Sequence, residues 1–452
     1  MTVSMSQGGA GELAPVSDEA PRHSRAFRVR RASNWIPLGV MYAAFYMGRY
    51  NFNVIKGDLG KFYHLDKAQI GAIATAGFWT YAVSVMINGP LADRIGGRRS
   101  ILFGALGVVL MNAIIGLLFL RGFSTHLVIG MSFLYAANMY FQSFGAVSVV
   151  KINAAWFHVR ERGMLGGVFA VLIGLGYWLA FTAGGKIYAL SKARWPNSPI
   201  AFAPIFAVPA LATLVMFTVL YLRVRDKPSH AGHEDLDTGD ASAGDEAPAD
   251  LKYVFKKVVM HPVIRVVMGA EFCTGFVRQG LLLYMTEFLV EVHHQPIGNG
   301  VHAWTGNLIT LGGIVGGIGC GLLSDKVFQS RRPPVAFLFY LGQIVSLVLL
   351  SRVSTPLAAS FMIGVSCMFI FGVHGMLSGT ASADFGGKKA AASAAGILDG
   401  VQYVASGLTG FGLGWFIKDH WERWTWALVP FSAIGAVLML FVWNAKPGRR
   451  AH

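Results

Sequence analysis

Two arginines stand inside long apolar stretches, where an ionised side chain costs several kcal/mol unless it is paired or hydrated. Arg49 follows Tyr42-Ala-Ala-Phe-Tyr46-Met-Gly and precedes Tyr50, Phe52, Val54 and Ile55; Arg278 lies in Phe272-Cys-Thr-Gly-Phe-Val-Arg278-Gln279-Gly280-Leu-Leu-Leu. Guanidinium stays charged and presents a planar fork of donors that matches phosphate or carboxylate oxygens. Tyr42 and Tyr46 precede Arg49 by seven and three positions, on the same helical face. One buried arginine reads as a side chain reaching for a helix end. Two, at matching places in two halves, read as a shared grip on one anion, and a phosphate dianion suits two forks better than a single carboxylate does.

The elements that must position these residues are membrane helices. Of 452 residues 54% are hydrophobic and 13% are charged, about half the charged share of a soluble domain. Apolar runs of about 20 residues recur along the chain, the length that crosses a bilayer. Lipid offers no partner for backbone polar groups, so these runs are expected to be helices. They are continuous rather than alternating, which excludes a β-barrel. The pattern predicts helices near 34–56, 68–91, 100–120, 126–151, 164–188 and 200–223, then 260–290, 303–323, 334–352, 356–380, 390–416 and 424–444. The expected fold is an all-α membrane protein with twelve transmembrane helices in two pseudo-symmetric six-helix bundles, 34–225 and 259–445. A polar tail, 1–33, precedes them, a linker, 226–258, joins them, and a tail, 446–452, follows. The linker opens with Glu234, Asp235, Asp237, Asp240, Asp245, Glu246 and Asp250 among small residues, a composition that stays solvated. Lys252, Lys256 and Lys257 then suggest a membrane-surface stretch.

The net charge of +15 would point to nucleic acid on a soluble protein. Here Lys and Arg gather in short loops between apolar runs, which sets topology instead: both termini and the linker are expected in the cytoplasm. Cys273, Cys320 and Cys367 lie scattered within apolar runs and make neither a disulfide framework nor a metal site. No GxxxxGK[ST] loop is present, so nucleotide hydrolysis is not expected to drive the protein. With no nucleophile–base set and no metal cluster, neither an enzyme nor a cofactor is expected.

The two halves echo each other. Gly89-Pro-Leu-Ala-Asp93-Arg94-Ile-Gly96-Gly97-Arg98-Arg99 is answered by Gly321-Leu-Leu-Ser-Asp325-Lys326 and Arg331-Arg332. Arg49 and Arg278 are 229 residues apart, Asp93 and Asp325 232, and Arg160 and Lys388 228. One recurring offset marks a duplicated half, with a binding site expected at the midplane between the halves. Residues 89–100 resemble the helix 2–3 loop signature of the major facilitator superfamily, with Ile95 and Gly97 departing from it. That resemblance implies conformational roles for Asp93, Arg94 and Arg98, for Arg160 and Arg162 after the fourth helix, and for Asp325, Lys388 and Lys389 in the second half.

A narrower resemblance lies in Tyr42-Ala-Ala-Phe-Tyr46-Met-Gly-Arg49-Tyr-Asn-Phe, in Phe141-Gln142-Ser-Phe-Gly145 with Lys151 and Trp156-Phe157, and in Lys388-Lys389-Ala-Ala-Ala-Ser-Ala-Ala-Gly396. These segments are similar to the organophosphate:phosphate antiporters, the family of glycerol-3-phosphate and hexose-6-phosphate transporters. The similarity implies that Arg49 and Arg278 hold phosphate, that Tyr403 faces the site, and that the chain works as a monomer in a bacterial inner membrane. Three departures mark a divergent branch: Val85 where the family carries a lysine, Ile173 where one branch carries a histidine, and Ala146-Val147-Ser148 for a Trp-Pro-Pro.

Lys151, near the cytoplasmic end of the fourth helix, is a candidate gate or substrate contact, the alternative being a side chain that snorkels to the interface. His374 is a candidate for the cavity, and Asp399, one turn before Tyr403, is a candidate for a cationic part of the substrate, for titration, or for pairing with Lys388 or Lys389. Glu271 and Glu287 are expected nearer the interfaces. The function expected is exchange of an organophosphate for inorganic phosphate by alternating access. The alternatives are proton-coupled symport of an organic anion, with Asp399, Glu271 or His374 titrating, and a membrane sensor of sugar phosphates.

Overall fold

The computed structural model describes residues 23–158, 161–238, 259–329, 331–418 and 420–445, the side chains of 162–169, 379–392 and 394 excepted. The helices before the linker are α1 (Arg25–Phe62), α2 (Lys67–Ile95), α3 (Gly97–Leu120), α4 (Leu127–Gln142), α5 (Phe144–Trp156), α6 (Arg162–Tyr177), α7 (Gly184–Arg194) and α8 (Pro204–Arg223). Those after it are α9 (Pro262–Glu291), α10 (Gly300–Lys326), α11 (Arg332–Leu350), α12 (Pro356–His374), α13 (Ala381–Leu408), α14 (Gly414–Ile417) and α15 (Glu422–Phe441). Among the described residues, nine helical segments are long and apolar enough to cross a membrane. Leu211 and Phe441 point outward from them, and Ile129 and Phe133 from α4, as side chains facing lipid would.

Local chemistry sets the ends. Asp66 and Gln69 cap α2 reciprocally: the Gln69 amide donates to Asp66 Oδ1 at 2.7 Å and the Asp66 amide to Gln69 Oε1 at 3.0 Å. Asn299 caps α10, and Thr355 with Pro356 opens α12. Gly96 joins α2 to α3 at a φ of 92°, a conformation that only glycine adopts without strain, and so the loop motif carries glycine there.

Several helices run past their apolar windows. α1 begins at Arg25 and not near 34, with Ser24 accepting from the Phe27 amide at 3.2 Å. Hydropathy marks the hydrocarbon crossing, whereas a capped helix continues into the interface, so residues 25–33, expected as a tail, are helical. Further along, helices expected to be continuous are interrupted. α4 and α5 break at Ser143, and π-helical stretches at Trp178–Ala183, Gly375–Thr380 and Thr409–Leu413 interrupt or extend their helices, as is common at functional sites.

The start of the linker is fastened rather than free. The Arg225 amide donates to Asn34 Oδ1 at 2.7 Å, Trp156 Nε1 to the Arg225 carbonyl at 3.0 Å, and the Arg98 amide to Asp226 Oδ1 at 2.7 Å. Residues 239–258, with their three lysines, lie outside the described residues.

Contacts between the halves are close. α13 lies along α2, α10 along α6 and the π-helical stretch after it, and α1 meets α9. Within the second half α10 and α12 touch backbone to backbone, since a Cβ on Gly316 would collide with the Met368 carbonyl and one on Gly312 with the Gly364 carbonyl. A Cβ on Gly319 would meet nothing within 4 Å. Gly316→Ala is therefore expected to cost about 1–3 kcal/mol, and Gly319→Ala to be neutral or to stabilise by up to about 1 kcal/mol. Thermal unfolding of the two variants in detergent tests this; equal melting temperatures would contradict the packing.

Candidate functional site

Arg49 sits midway along α1 and is 1% exposed; Arg278 sits midway along α9 and is 2% exposed. Both arginines predicted from the sequence are therefore interior. Arg49 Nη1 donates to the Tyr403 hydroxyl at 2.9 Å, and its Nη2 reaches Gln142 Oε1 at 3.5 Å. Its guanidinium lies over the rings of Tyr46 and Tyr81, 4.9 and 4.8 Å from their centroids. Arg278 Nη2 donates to Gln402 Oε1 at 2.7 Å, and its guanidinium faces the Tyr403 ring at 5.2 Å. Tyr403, from α13, thus touches both arginines, by its hydroxyl on one side and its ring on the other.

The groups in direct contact with the two arginines are neutral. Tyr42 packs on Tyr46, Tyr46 on Tyr50 and Tyr177, and Tyr177 on Phe371. Among the described residues no carboxylate forms an ion pair with Arg49 or Arg278, and the Nε of each is buried without a hydrogen-bond partner. Ring faces and hydroxyls lower the cost of a buried cation without cancelling its charge. Two cations so held can accept a polyanion that bridges them.

The other predicted residues divide into those near the clamp and those away from it. Tyr42, Tyr46 and Tyr403 line it. Asp399 accepts from the Tyr81 hydroxyl at 3.1 Å, and Tyr81 stacks on Tyr403 at 4.0 Å, so the carboxylate reaches the clamp through a tyrosine. His374 Nδ1 lies 2.8 Å from Gln402 Nε2 and 3.5 Å from Glu271 Oε2. Lys151 is elsewhere: it pairs with Asp93 at 3.0 Å, while Asp93 also accepts from Ser393 of the second half at 3.2 Å. That places Lys151 with the loop motif rather than with the arginines. Arg98 donates to the Tyr221 carbonyl and lies over its ring, and Arg94 and Asp325 are exposed near the ends of α2 and α10. Arg160 and the side chains of Arg162, Lys388 and Lys389 lie outside the described residues.

At the end of α1 that carries Arg25, Arg31 donates to both oxygens of Glu161, at 3.0 and 2.8 Å. Burial alone would raise the Glu161 carboxyl. The hydrogen bonds from Arg31 and from the His158 amide outweigh that and hold it below its ordinary value.

Glu271 and Glu287 lie on either side of Arg278 towards the two ends of α9. Glu271 is fully buried, and Glu287, 4% exposed, meets Lys56 at 2.6 Å with Lys56 at 0%. Each has a partner in reach within the protein, His374 for Glu271 and Lys56 for Glu287. Lys56 was missed by sequence reasoning, which placed it at a helix end; α1 continues to Phe62 and buries it. Gln142, Gln402 and Tyr81 were also missed as site residues. Their signal was present, as polar groups inside apolar helices, but helical phase alone does not rank them.

The Lys56–Glu287 pair joins α1 to α9 beneath a second layer, where Glu291 meets Lys67 at 2.8 Å, Lys61 at 3.5 Å and the Trp421 indole at 2.9 Å. The pair lies towards the end of α1 that carries Phe62. Removing one partner strands the other in the interior. Lys56→Met is expected to lower stability by about 3–5 kcal/mol, and Lys56→Met with Glu287→Met to recover most of that loss. A double-mutant cycle of unfolding in detergent checks it; additive losses would mean that the pair is not coupled.

The Major Facilitator Superfamily model matches residues 38–410. Membrane sensor protein UhpC of Salmonella typhimurium is 28% identical, with 97% of each chain covered. The glycerol-3-phosphate transporter of Bacillus subtilis is 26% identical, covering 94% of this chain and 95% of its own. A probable hexose phosphate transport protein of Chlamydia trachomatis is 25% identical, covering 90% and 89%. Among solved structures, a bacterial homologue of the human lysosomal transporter Spinster, inward-facing and unoccupied, aligns with a TM-score of 0.70 at 15% identity, covering 93% of this chain and 97% of that one. This last likeness is one of fold.

Proposed function

The chain belongs to the Major Facilitator Superfamily, an integral multi-pass membrane protein, and from that premise we propose that it exchanges an organophosphate for inorganic phosphate by alternating access. One observation carries the reading: Arg49 and Arg278 are buried, form no ion pair with any described carboxylate, and are joined through Tyr403. Transport of phosphorylated compounds by the relatives from Bacillus subtilis and Chlamydia trachomatis supports the choice of anion. We further propose twelve crossings, α1, the α4–α5 pair and α13 with α14 adding to the nine long apolar segments, in bundles 34–225 and 259–445. The protein is placed in a bacterial inner membrane as a monomer, both termini and the linker on the cytoplasmic side, as the Lys and Arg bias supports.

Exchange follows from charge. An empty clamp moving through a closed, dry state carries two unpaired cations, at a cost of several kcal/mol. A bound phosphate dianion offsets both. In this reading Arg49 and Arg278 bind the phosphoryl oxygens, Tyr403 orients both forks, Gln142 and Gln402 hold the forks until substrate displaces them, and Lys56–Glu287 and Lys151–Asp93–Ser393, both formed in this conformation, open the two ends in turn.

A second reading rests on the 28% identity to a membrane sensor: the same clamp would report a sugar phosphate to a partner without net flux. Counterflow of labelled phosphate in proteoliposomes decides between them. Phosphate-loaded vesicles are expected to take up label at least about tenfold faster than empty ones, the ratio that a barrier difference of about 1.4 kcal/mol produces, and phosphate esters should compete. Arg49→Lys and Arg278→Lys, which keep the charge and lose the fork, are each expected to lower counterflow by about a hundredfold or more with normal expression. Wild-type rates in both variants would refute the clamp, and no flux in wild-type vesicles that still bind phosphate would favour the sensor.

A further inference from the structure

Behind Arg278 lies a group for which the clamp has no use. Glu271 comes from α9, two turns before Arg278, and is fully buried; its Oε1 has no hydrogen-bond partner and its Oε2 has only His374 Nδ1, at 3.5 Å. His374, at the end of α12, keeps 21% of its side chain exposed. Gln402, from α13, stands between the histidine and the arginine, with its Oε1 accepting from Arg278 at 2.7 Å and its Nε2 2.8 Å from His374 Nδ1.

The orientation of that amide sets the proton. Arg278 has only donors, so the Gln402 oxygen must face it and the Gln402 nitrogen must face His374. Nδ1 is then an acceptor and carries no proton. An ionised Glu271 would set a second acceptor against it, with one oxygen unsatisfied in the interior, an arrangement that burial penalises. In the conformation seen here Glu271 therefore holds the proton. The titratable and charged groups that act on the pair are Arg278 of α9, Asp399 of α13 and Tyr340 of α11, with Cys273 of α9 beside Tyr340; α10 and α15 bring none among the described residues. Arg278 is the one cation among them.

We propose that His374, beside a neutral Glu271, is a proton-binding site that loads together with the anion at Arg278. The proposal rests on the phosphate reading of the clamp. A phosphate dianion at Arg278 cancels the cation that opposes a second positive charge and displaces Gln402 from the guanidinium. The amide is then free to turn its oxygen towards His374, which takes up a proton from water at its exposed edge while Glu271 keeps its own. No bond other than these N–H and hydrogen bonds changes, and net charge rises by one as the proton enters. The coupling is reciprocal, so phosphate binds more tightly as pH falls. Glu271 and His374 act through Gln402 and are positioning residues for the clamp.

The test is calorimetry of inorganic phosphate binding to the purified full chain at a pH where phosphate is a dianion, in two buffers of unequal ionisation enthalpy. Wild type is expected to take up about one proton per phosphate bound. His374→Gln, which has no ring nitrogen to protonate, is expected to bind with no uptake, and Glu271→Gln, which fixes the neutral side chain, to keep the uptake at His374. Equal heats in the two buffers for wild type would overturn the proposal, as would His374→Gln with wild-type proton uptake. Wild type that binds no phosphate at all would overturn the phosphate reading itself, and the proton site with it. The wild-type buffer comparison decides the matter even where a variant fails to fold.

Discussion

Two guanidinium groups closed off from water without a counter-ion are the constraint on which the rest of this structure depends. Burying a charge is tolerated when it is paired or well hydrogen-bonded. Among the described residues, the direct contacts of Arg49 and Arg278 are neutral: tyrosine rings and hydroxyls and glutamine oxygens. Those neighbours must come from several helices at once. α1 and α9 supply the arginines, α2 supplies Tyr81, α4 supplies Gln142, and α13 supplies Tyr403 and Gln402. The requirement to converge there explains why α1 meets α9 and why α13 lies along α2.

The contrast with the ion pairs toward the ends is instructive. Lys56 and Glu287 are as deeply buried as the arginines, yet they meet each other at 2.6 Å. Lys151 meets Asp93, and Arg31 meets Glu161. Charge is neutralised within the protein wherever a contact has to hold the halves or helix ends together. Among the described residues, the two arginines at the centre are left without an ion pair. A carboxylate beside either arginine would compete with an anionic ligand; a glutamine or tyrosine holds the fork in position and yields to a dianion at little cost. The absence of a described internal counter-ion is thus the property that fits the centre for binding.

Much of this was legible in the sequence. The apolar runs predicted the helices, and the common offset of Arg49 and Arg278 placed both in the interior before any geometry was known. Hydropathy located the crossings but misjudged the helix ends, because a capped helix does not stop where lipid stops: α1 starts at Arg25 and buries Lys56 near its far end. The partners of each charge were less legible. Glu287 and Lys56 are 231 residues apart, and Gln402 and His374 belong to different helices, so nothing in local spacing ties them together. Lys151 shows the same limit from the other side, for its residue type suited the clamp and its position in α5 gave it to Asp93 instead.

The position of Tyr403 gives the clamp its directionality. Its hydroxyl binds Arg49 of the first half, its ring faces Arg278 of its own half, and it stacks on Tyr81 of the first half, which in turn donates to Asp399 of the second. An anion that pulls both forks inward therefore acts on a side chain that already spans the division between halves. Gln279, next to Arg278, reaches the Tyr50 hydroxyl across the same division at 3.2 Å. Contacts of this kind are weak one by one, worth about 1 kcal/mol each, and in the proposed alternating-access cycle can be exchanged for others. The stronger ion pairs lie further out, towards the helix ends. Binding at the centre thus needs to shift a balance between end closures rather than break the interface as a whole, and a ligand can do that only through the extra affinity it has for the state in which both arginines reach it.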